Sequence, residues 1–177
     1  MNAKLKISFK WGLIGGIGVA IFGLLLFILN VGHDSKLNYL GFGILIATIL
    51  AATYDFRDNH KAGFARFGEL FGIGMLTAAF YALFAAIWGI IDLQVIDTEK
   101  VSKILQETEL KLEAQGYDED VIKQSMAMTK KMMEPVYFFI MGLVSALVSG
   151  ALISVLSGLI LRKDPPESFD EIKIESH

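Results

Sequence analysis

The sequence predicts an all-α membrane protein: a bundle of four transmembrane helices, with an amphipathic helical hairpin outside the cytoplasm between the third and the fourth. Three observations support this prediction. The 177 residues are 54% hydrophobic and 20% charged, which is less charge than a soluble chain of this length carries. Four apolar runs are long enough to cross a bilayer as helices. A polar stretch with helical periodicity separates the last two runs.

The first apolar run, residues 11–31, predicts a membrane helix that the mature protein keeps. It contains no charged residue, it is longer than the apolar part of a signal peptide, and no cleavage pattern of small residues follows it. Gly12 and Gly16 lie one turn apart on one face of this helix. A basic segment without acids precedes the run, with Lys4, Lys6 and Lys10.

The second and third runs also carry small residues at helical spacing. Residues 37–54 predict a span near the lower length limit, with Gly43 and Ala47 four apart. Residues 67–93 predict the third span, which has charged residues only near its ends. Its small residues follow one another at alternating intervals of four and three residues, which places them in one seam along the helix. They are Gly68, Gly72, Ala79, Ala82, Ala86 and Gly89, and the larger Met75 occupies one position of the seam. Such a seam lets another helix backbone approach closely in lipid.

The polar segment 95–134 predicts a hairpin of two amphipathic helices. Apolar residues recur at helical spacing up to about Ala114, Gly116 interrupts the pattern, and a second helix follows Asp118. Methionines in this second helix indicate either an adaptable docking surface or filler between the two helices. They are Met126, Met128, Met132 and Met133.

The fourth run, residues 135–161, carries the longest row of small residues in the chain. The row steps by four across the whole helix: Gly142, Ala146, Gly150, Ser154 and Gly158. Such rows are common in membrane helices, so this one indicates helix packing without naming a partner. Residues 1–163 therefore form the predicted membrane domain, and the acidic segment 164–177 is a predicted disordered cytoplasmic tail.

The charge of the loops predicts the orientation. Four spans place both termini on one side, together with the loop between the second and third spans. That side holds most of the lysines and arginines close to the spans, whereas the first loop on the other side holds only Lys36. The positive-inside rule then places both termini in the cytoplasm and the hairpin outside it. Lys130 and Lys131, next to the fourth span, oppose this assignment.

Three stretches match a known family pattern: residues 10–16 (KWGLIGG), residues 54–58 (YDFRD) followed by Phe67 and Gly68, and the charged hairpin before Pro135. In these stretches the chain resembles the domain of unknown function 4199 family, found mainly in Bacteroidetes. The resemblance extends over essentially the whole chain. It implies four spans in a bacterial inner membrane, and it implies no catalytic residues.

Glu69 is the candidate functional acid, because an acid inside a span is by default a candidate proton or cation site. The alternative is structural. Glu69 lies in the first turn of its helix, where the helix dipole favours an anion and where Arg66 can pair with it.

No pattern in the sequence predicts catalysis or a metal site. The three histidines are far apart in the sequence, without acids at ligand spacing, and there is no cysteine. The serines of the fourth span have no histidine or lysine at their depth to act as a base. We therefore expect a protein that is not an enzyme and that holds no metal or other cofactor.

The sequence favours an accessory or structural subunit of a membrane complex. Every span carries small residues, more than one closed bundle needs, so we expect self-association or packing against another membrane protein, in contact with membrane lipid. The net charge of -3 argues against nucleic acid as a partner. The alternative is a small transporter or channel that uses Glu69 as an intramembrane proton or cation site, although the spans offer few polar side chains to line a pathway.

Overall fold

The computed structural model describes residues 2–31 and 36–164. Regular structure in this part of the chain is helical, apart from one β-bridge between Ala65 and Lys163. Four of the helices are long and apolar enough to cross a membrane. The prediction of an all-α chain with four candidate membrane-spanning helices is therefore confirmed. The predicted tail, residues 164–177, lies outside the described residues apart from Asp164.

Within residues 2–31 and 36–164, six α-helices follow one another. They are α1 (Ala3–Ile28), α2 (Leu40–His60), α3 (Phe67–Ile91), α4 (Lys100–Ala114), α5 (Glu119–Met132) and α6 (Pro135–Leu161). A 3₁₀ turn, Lys36–Tyr39, leads into α2, and a π-helical turn, Asp92–Ile96, extends α3. The four long helices α1, α2, α3 and α6 form the bundle, and α4 and α5 form the hairpin.

The ends of α1 and α2 differ from the predicted spans. α1 ends at Ile28, before the predicted limit, because Asn30 has the left-handed backbone conformation (φ 51°) that often ends a helix. α2 continues past Tyr54 to His60, which shortens the predicted loop to α3. The loop then reverses at Gly63, whose φ of 85° suits a residue without Cβ.

The centre of the bundle is α3, which packs against the three other long helices, most extensively against α6 and α1. Its first half contributes Leu70 and Ile73 to one buried cluster, with Phe56 of α2. Further along, Ala78 and Tyr81 form a second cluster with Ile49 of α2. Each long helix keeps one face exposed with large apolar side chains, as expected for a bundle surrounded by lipid.

The hairpin packs on itself and stands apart from the core. Gly116 makes the turn between α4 and α5 in the left-handed conformation (φ 75°). Neither hairpin helix, both described in full, contains a buried residue. Its base is held to the π-helical extension of α3, because the carboxylate of the buried Asp92 pairs with Lys100. Asp97, in the turn before α4, pairs with Lys103 at 3.7 Å.

Candidate functional site

Polar side chains of α1, α2 and α3 and the last backbone carbonyl group of α6 lie near the loop between α2 and α3, which we call the loop end of the bundle. Asp55 of α2 is at its centre. Its Oδ2 accepts hydrogen bonds from Trp11 Nε1 at 2.7 Å and from Lys10 Nζ at 3.2 Å, and its Oδ1 accepts one from Asn59 at 2.8 Å. The carboxylate therefore ties α1 to α2 and stabilises the last turns of α2.

Arg57 ties α2 to the end of α6. Its Nη1 donates to the carbonyl oxygen of Leu161 at 3.2 Å, and this carbonyl lies in the last turn of α6, where helices leave acceptors unpaired. Its Nε donates to Asp58 at 2.6 Å, which orients the guanidinium group. The β-bridge between Ala65 and Lys163 continues this contact along the backbone, so α6 is held to the α2–α3 loop.

Glu69 lies at the third residue of α3, also at the loop end. Its carboxylate accepts a hydrogen bond from the backbone N–H of Arg66 at 3.2 Å and pairs with Lys61 Nζ at 2.6 Å. The contact with the Arg66 N–H is one half of a capping box, which satisfies a donor that the helix itself cannot. These contacts give Glu69 a structural role, and its use as a proton or cation site remains a prediction.

Replacing Glu69 with glutamine separates these two roles. The amide oxygen can still accept from Arg66, so we expect a loss of only about 0.5–1 kcal/mol from the missing pair with Lys61, because the pair is partly exposed. Thermal melting in detergent measures this loss, with Glu119→Gln as a control at an exposed ion pair of the hairpin. A host defect with unchanged stability would instead support a functional acid.

One set of the predicted packing residues lies between helices of this chain. A Cβ on Gly12 would lie 3.0 Å from the backbone nitrogen of Tyr81, and one on Gly16 would lie 2.5 Å from Cβ of Phe84, so α1 approaches α3 closely. On α6, a Cβ on Gly158 would lie 3.0 Å from the ring of Phe67 of α3. The other members of this set, Gly150, Ser154, Ala82 and Ala86, are buried.

The remaining predicted packing residues lie on helix faces that the described residues leave exposed or only half-covered. Apart from the local backbone of its own helix, no described atom comes within 4 Å of a Cβ built on each glycine of this set, Gly43, Gly68, Gly72 and Gly142. Ala47 and Ala79 are exposed, and Ala146 is half-buried. The small-residue rows therefore divide into a covered part and an uncovered part.

Two close contacts within the bundle were not predicted from the sequence. A Cβ on Gly15 would meet Thr48 of α2 and the ring of Tyr81, and one on Gly74 would meet Ser154 of α6. The close contact at Gly74 could have been predicted, because Gly74, Ala78 and Ala82 form a row of small residues at intervals of four. No comparable sequence pattern predicts the contact of Asp55 with Trp11 or that of Arg57 with Leu161, because the partners are far apart in the sequence.

Comparison with known proteins identifies a family and no function. A family model described as a protein of unknown function (DUF4199) matches residues 10–163. No curated protein and no solved structure matches the chain. Over residues 2–31 and 36–164, no three side chains of the types His, Asp and Glu are grouped so that they could hold a metal ion.

Proposed function

The chain belongs to the DUF4199 family of proteins of unknown function, and we propose that it is a non-catalytic subunit of a bacterial inner-membrane complex. In this proposal it associates with itself or with another membrane protein through the uncovered small-residue faces of its helices. The proposal rests on one observation. The bundle covers some of its glycines tightly and leaves others, such as Gly43 and Gly68, with no described neighbour.

The contrast between two kinds of surface supports this proposal. α6 exposes a row of large side chains, Leu152, Leu156 and Ile160, which suit contact with lipid chains. α2 instead exposes Gly43 and Ala47, where a second backbone can approach. Lipid tails gain nothing from a flat glycine face, whereas a helix gains close packing there.

The hairpin offers a second contact surface. α4 and α5 leave their apolar sides at most half-buried, and Met128 is 64% exposed. Unbranched, polarizable methionine side chains adapt to a partner surface. We propose that the hairpin contacts the same partner outside the cytoplasm, next to the membrane.

The proposed orientation places the loop end in the cytoplasm and the hairpin outside it. Lys10 of α1 pairs with Asp55 near the end of α2, and Ala65 of the α2–α3 loop forms the β-bridge with Lys163, just after α6. These contacts bring the first turns of α1, the α2–α3 loop and the end of α6 to the same end of the bundle. The basic residues of these three segments are therefore at one end of the bundle. The positive-inside rule assigns such an end to the cytoplasm.

Cysteine labelling tests this orientation. Because the natural chain has no cysteine, Asp164→Cys and Gln115→Cys each introduce a unique thiol at an exposed position. In intact spheroplasts we expect an impermeant maleimide to label the hairpin variant and to label the Asp164 variant only after lysis. The opposite pattern would invert the orientation, and labelling of both variants in intact spheroplasts would contradict a membrane crossing by α6, the long helix between the two positions.

Co-purification tests the proposed association. The tagged full-length protein is isolated from its native membrane in mild detergent, and its mass and protein content are measured. We expect either an oligomer or a second protein in fixed ratio, and we expect Gly43→Leu to reduce it at least tenfold. Leu152→Ala is the matched control at the large-residue surface. A monomer without a companion would contradict the proposal.

A further inference from the structure

The start of α1 carries two lysines on its exposed side, at the loop end of the bundle. Lys6 and Lys10 lie one helical turn apart, so their Cβ atoms are about 5–6 Å from each other. Like charges at this spacing repel each other and destabilise a helix, and an anion between them offsets the repulsion. α1 therefore presents a position that favours an anion.

The acids of the described ranges do not fill this position. Lys10 pairs with Asp55 at 3.2 Å, but the same carboxylate oxygen accepts a shorter hydrogen bond from Trp11, and the other oxygen accepts one from Asn59. Lys6 forms no ion pair with any residue that the structure describes. One carboxylate, already bound to three donors, is thus the counterion that the protein provides beside the two lysines.

The surroundings of the two lysines add to the positive charge. Residues 2–10, 54–69 and 161–164 make up the loop end, and they contain eight lysines and arginines and four acids, a net charge of +4 with His60 neutral. At the opposite end of the bundle, residues 92–134 contain six lysines and ten acids. Of these two ends, the one that carries Lys6 and Lys10 therefore has the excess of positive charge.

The same face of α1 continues with side chains that suit contact with lipid chains. Ile14, Ile17 and Ile21 lie within about 80° of Lys6 around the helix, at 3.6 residues per turn. Each of these isoleucines is about half exposed. One exposed face thus carries two cations at its end and a row of branched apolar side chains beyond them, which is the order of groups in a phospholipid.

The depth of the two lysines corresponds to that of lipid phosphate groups. Trp11 begins the apolar run of α1, and indole rings prefer the interface between hydrocarbon and headgroups. At ~1.5 Å per residue, Lys10 and Lys6 lie about 1.5 Å and 7.5 Å beyond Trp11 along the helix. The headgroup layer on each side of the hydrocarbon is about 5–8 Å thick. Both ammonium groups therefore lie within this layer.

We propose that this face of α1 binds an anionic glycerophospholipid, with the phosphate between Lys6 and Lys10 and an acyl chain along the three isoleucines. A phosphate accepts hydrogen bonds from both ammonium groups and removes their mutual repulsion. A zwitterionic lipid has the same chains, but its own ammonium group would lie among the surplus positive charges of the loop end. We therefore expect a preference for phosphatidylglycerol over phosphatidylcholine. The preference requires no protein partner, and it holds in either orientation of the chain.

Native mass spectrometry of the full-length protein in detergent tests this assignment. The dissociation constant of the complex with one lipid is measured for dioleoyl phosphatidylglycerol and for dioleoyl phosphatidylcholine, which have the same chains. We expect phosphatidylglycerol to bind about tenfold more tightly or better, because each lysine near an anionic lipid contributes about fivefold. Glycerophosphoglycerol, the same headgroup without chains, is expected not to compete even in large excess. Equal binding of the two lipids, or competition by the free headgroup, overturns the proposal.

Charge variants test the position of the site. Lys6→Gln is expected to weaken the binding of phosphatidylglycerol about fivefold, and Lys6→Arg is expected to retain it. Arg162→Gln removes another exposed cation of the loop end, after α6, and Lys123→Gln removes one from the hairpin, so both are expected to bind this lipid as the natural protein does. Melting temperatures show that each variant folds. If Arg162→Gln weakens binding as much as Lys6→Gln does, the preference comes from the charge of the whole loop end, and the site on α1 is overturned.

The acidic residues near the end of the chain are the rival occupant of the two lysines. They lie outside the described residues and are Glu167, Asp170, Glu171 and Glu175. A variant with these four acids replaced by their amides is measured beside the natural protein, and we expect the same preference for phosphatidylglycerol in both. A preference that appears only in this variant would assign the lysines of the natural protein to the acidic segment, and it would overturn the proposal.

Discussion

Replacing Asp55 with alanine is expected to lower the free energy of unfolding by about 2–3 kcal/mol. The substitution leaves Trp11 Nε1 and the Asn59 amide without their acceptor, and hydrogen bonds to a charged group contribute about 1.5–3 kcal/mol each before exposure weakens them. Lys10 adds little, because its side chain is 59% exposed. Unfolding in mixed micelles measures the change in free energy.

Two further variants define the cause of this loss. Asp55→Asn keeps one acceptor oxygen, so we expect a loss between that of the alanine variant and zero. Glu119→Ala removes an ion pair of two well-exposed side chains on the hairpin, and we expect no measurable change. If Asp55→Ala were as stable as Glu119→Ala, the contact between α1 and α2 would not hold the loop end together.

Replacing Gly12 with leucine is expected to cost about 3 kcal/mol or more and to separate α1 from α3. A Cβ at this position would lie 2.5 Å from Cβ of Phe80 and 3.1 Å from the carbonyl oxygen of Thr77. Overpacking in a tight core typically costs 1–3 kcal/mol, and backbone atoms yield less than side chains do. The same measurement in mixed micelles applies.

Gly68→Leu is the matched control, because it also lies on a long helix and has no described atom within 4 Å of a built Cβ. We expect this variant to unfold at the same denaturant concentration as the natural protein or at a slightly higher one, because leucine has a higher helix propensity than glycine. If both substitutions lowered the free energy of unfolding equally, the loss at Gly12 would come from replacing a glycine in a helix and not from close packing against α3.

The bundle could be predicted from the sequence because its signals are local. α6 begins at Pro135 and ends beside Arg162, where the apolar run begins and ends. Long apolar runs and a proline act through neighbouring residues, and the lipid environment allows few alternatives to a helix. The turn of the hairpin at Gly116 was predicted for the same reason.

The contacts at the loop end and the division of the α6 row could not be predicted in this way. Trp11 and Asp55 are 44 residues apart, and Arg57 and Leu161 are 104 residues apart, so no helical period relates them. The row Gly142–Gly158 looks uniform in the sequence, yet its second half packs on α3, whereas no atom of another described helix comes within 4 Å of a Cβ built on Gly142. Which face a neighbour covers depends on helix crossing, and a single sequence does not contain that information.

Photo-cross-linking in the native membrane tests the central claim most directly, namely that the uncovered small-residue face of α2 contacts another protein. A photoreactive amino acid is introduced at Ala47, on that face, and at Leu152, on the large-residue surface of α6. We predict a discrete protein adduct from Ala47, with a mass that reports a second copy or a partner, and lipid adducts alone from Leu152. Lipid adducts alone from both positions would contradict the claim.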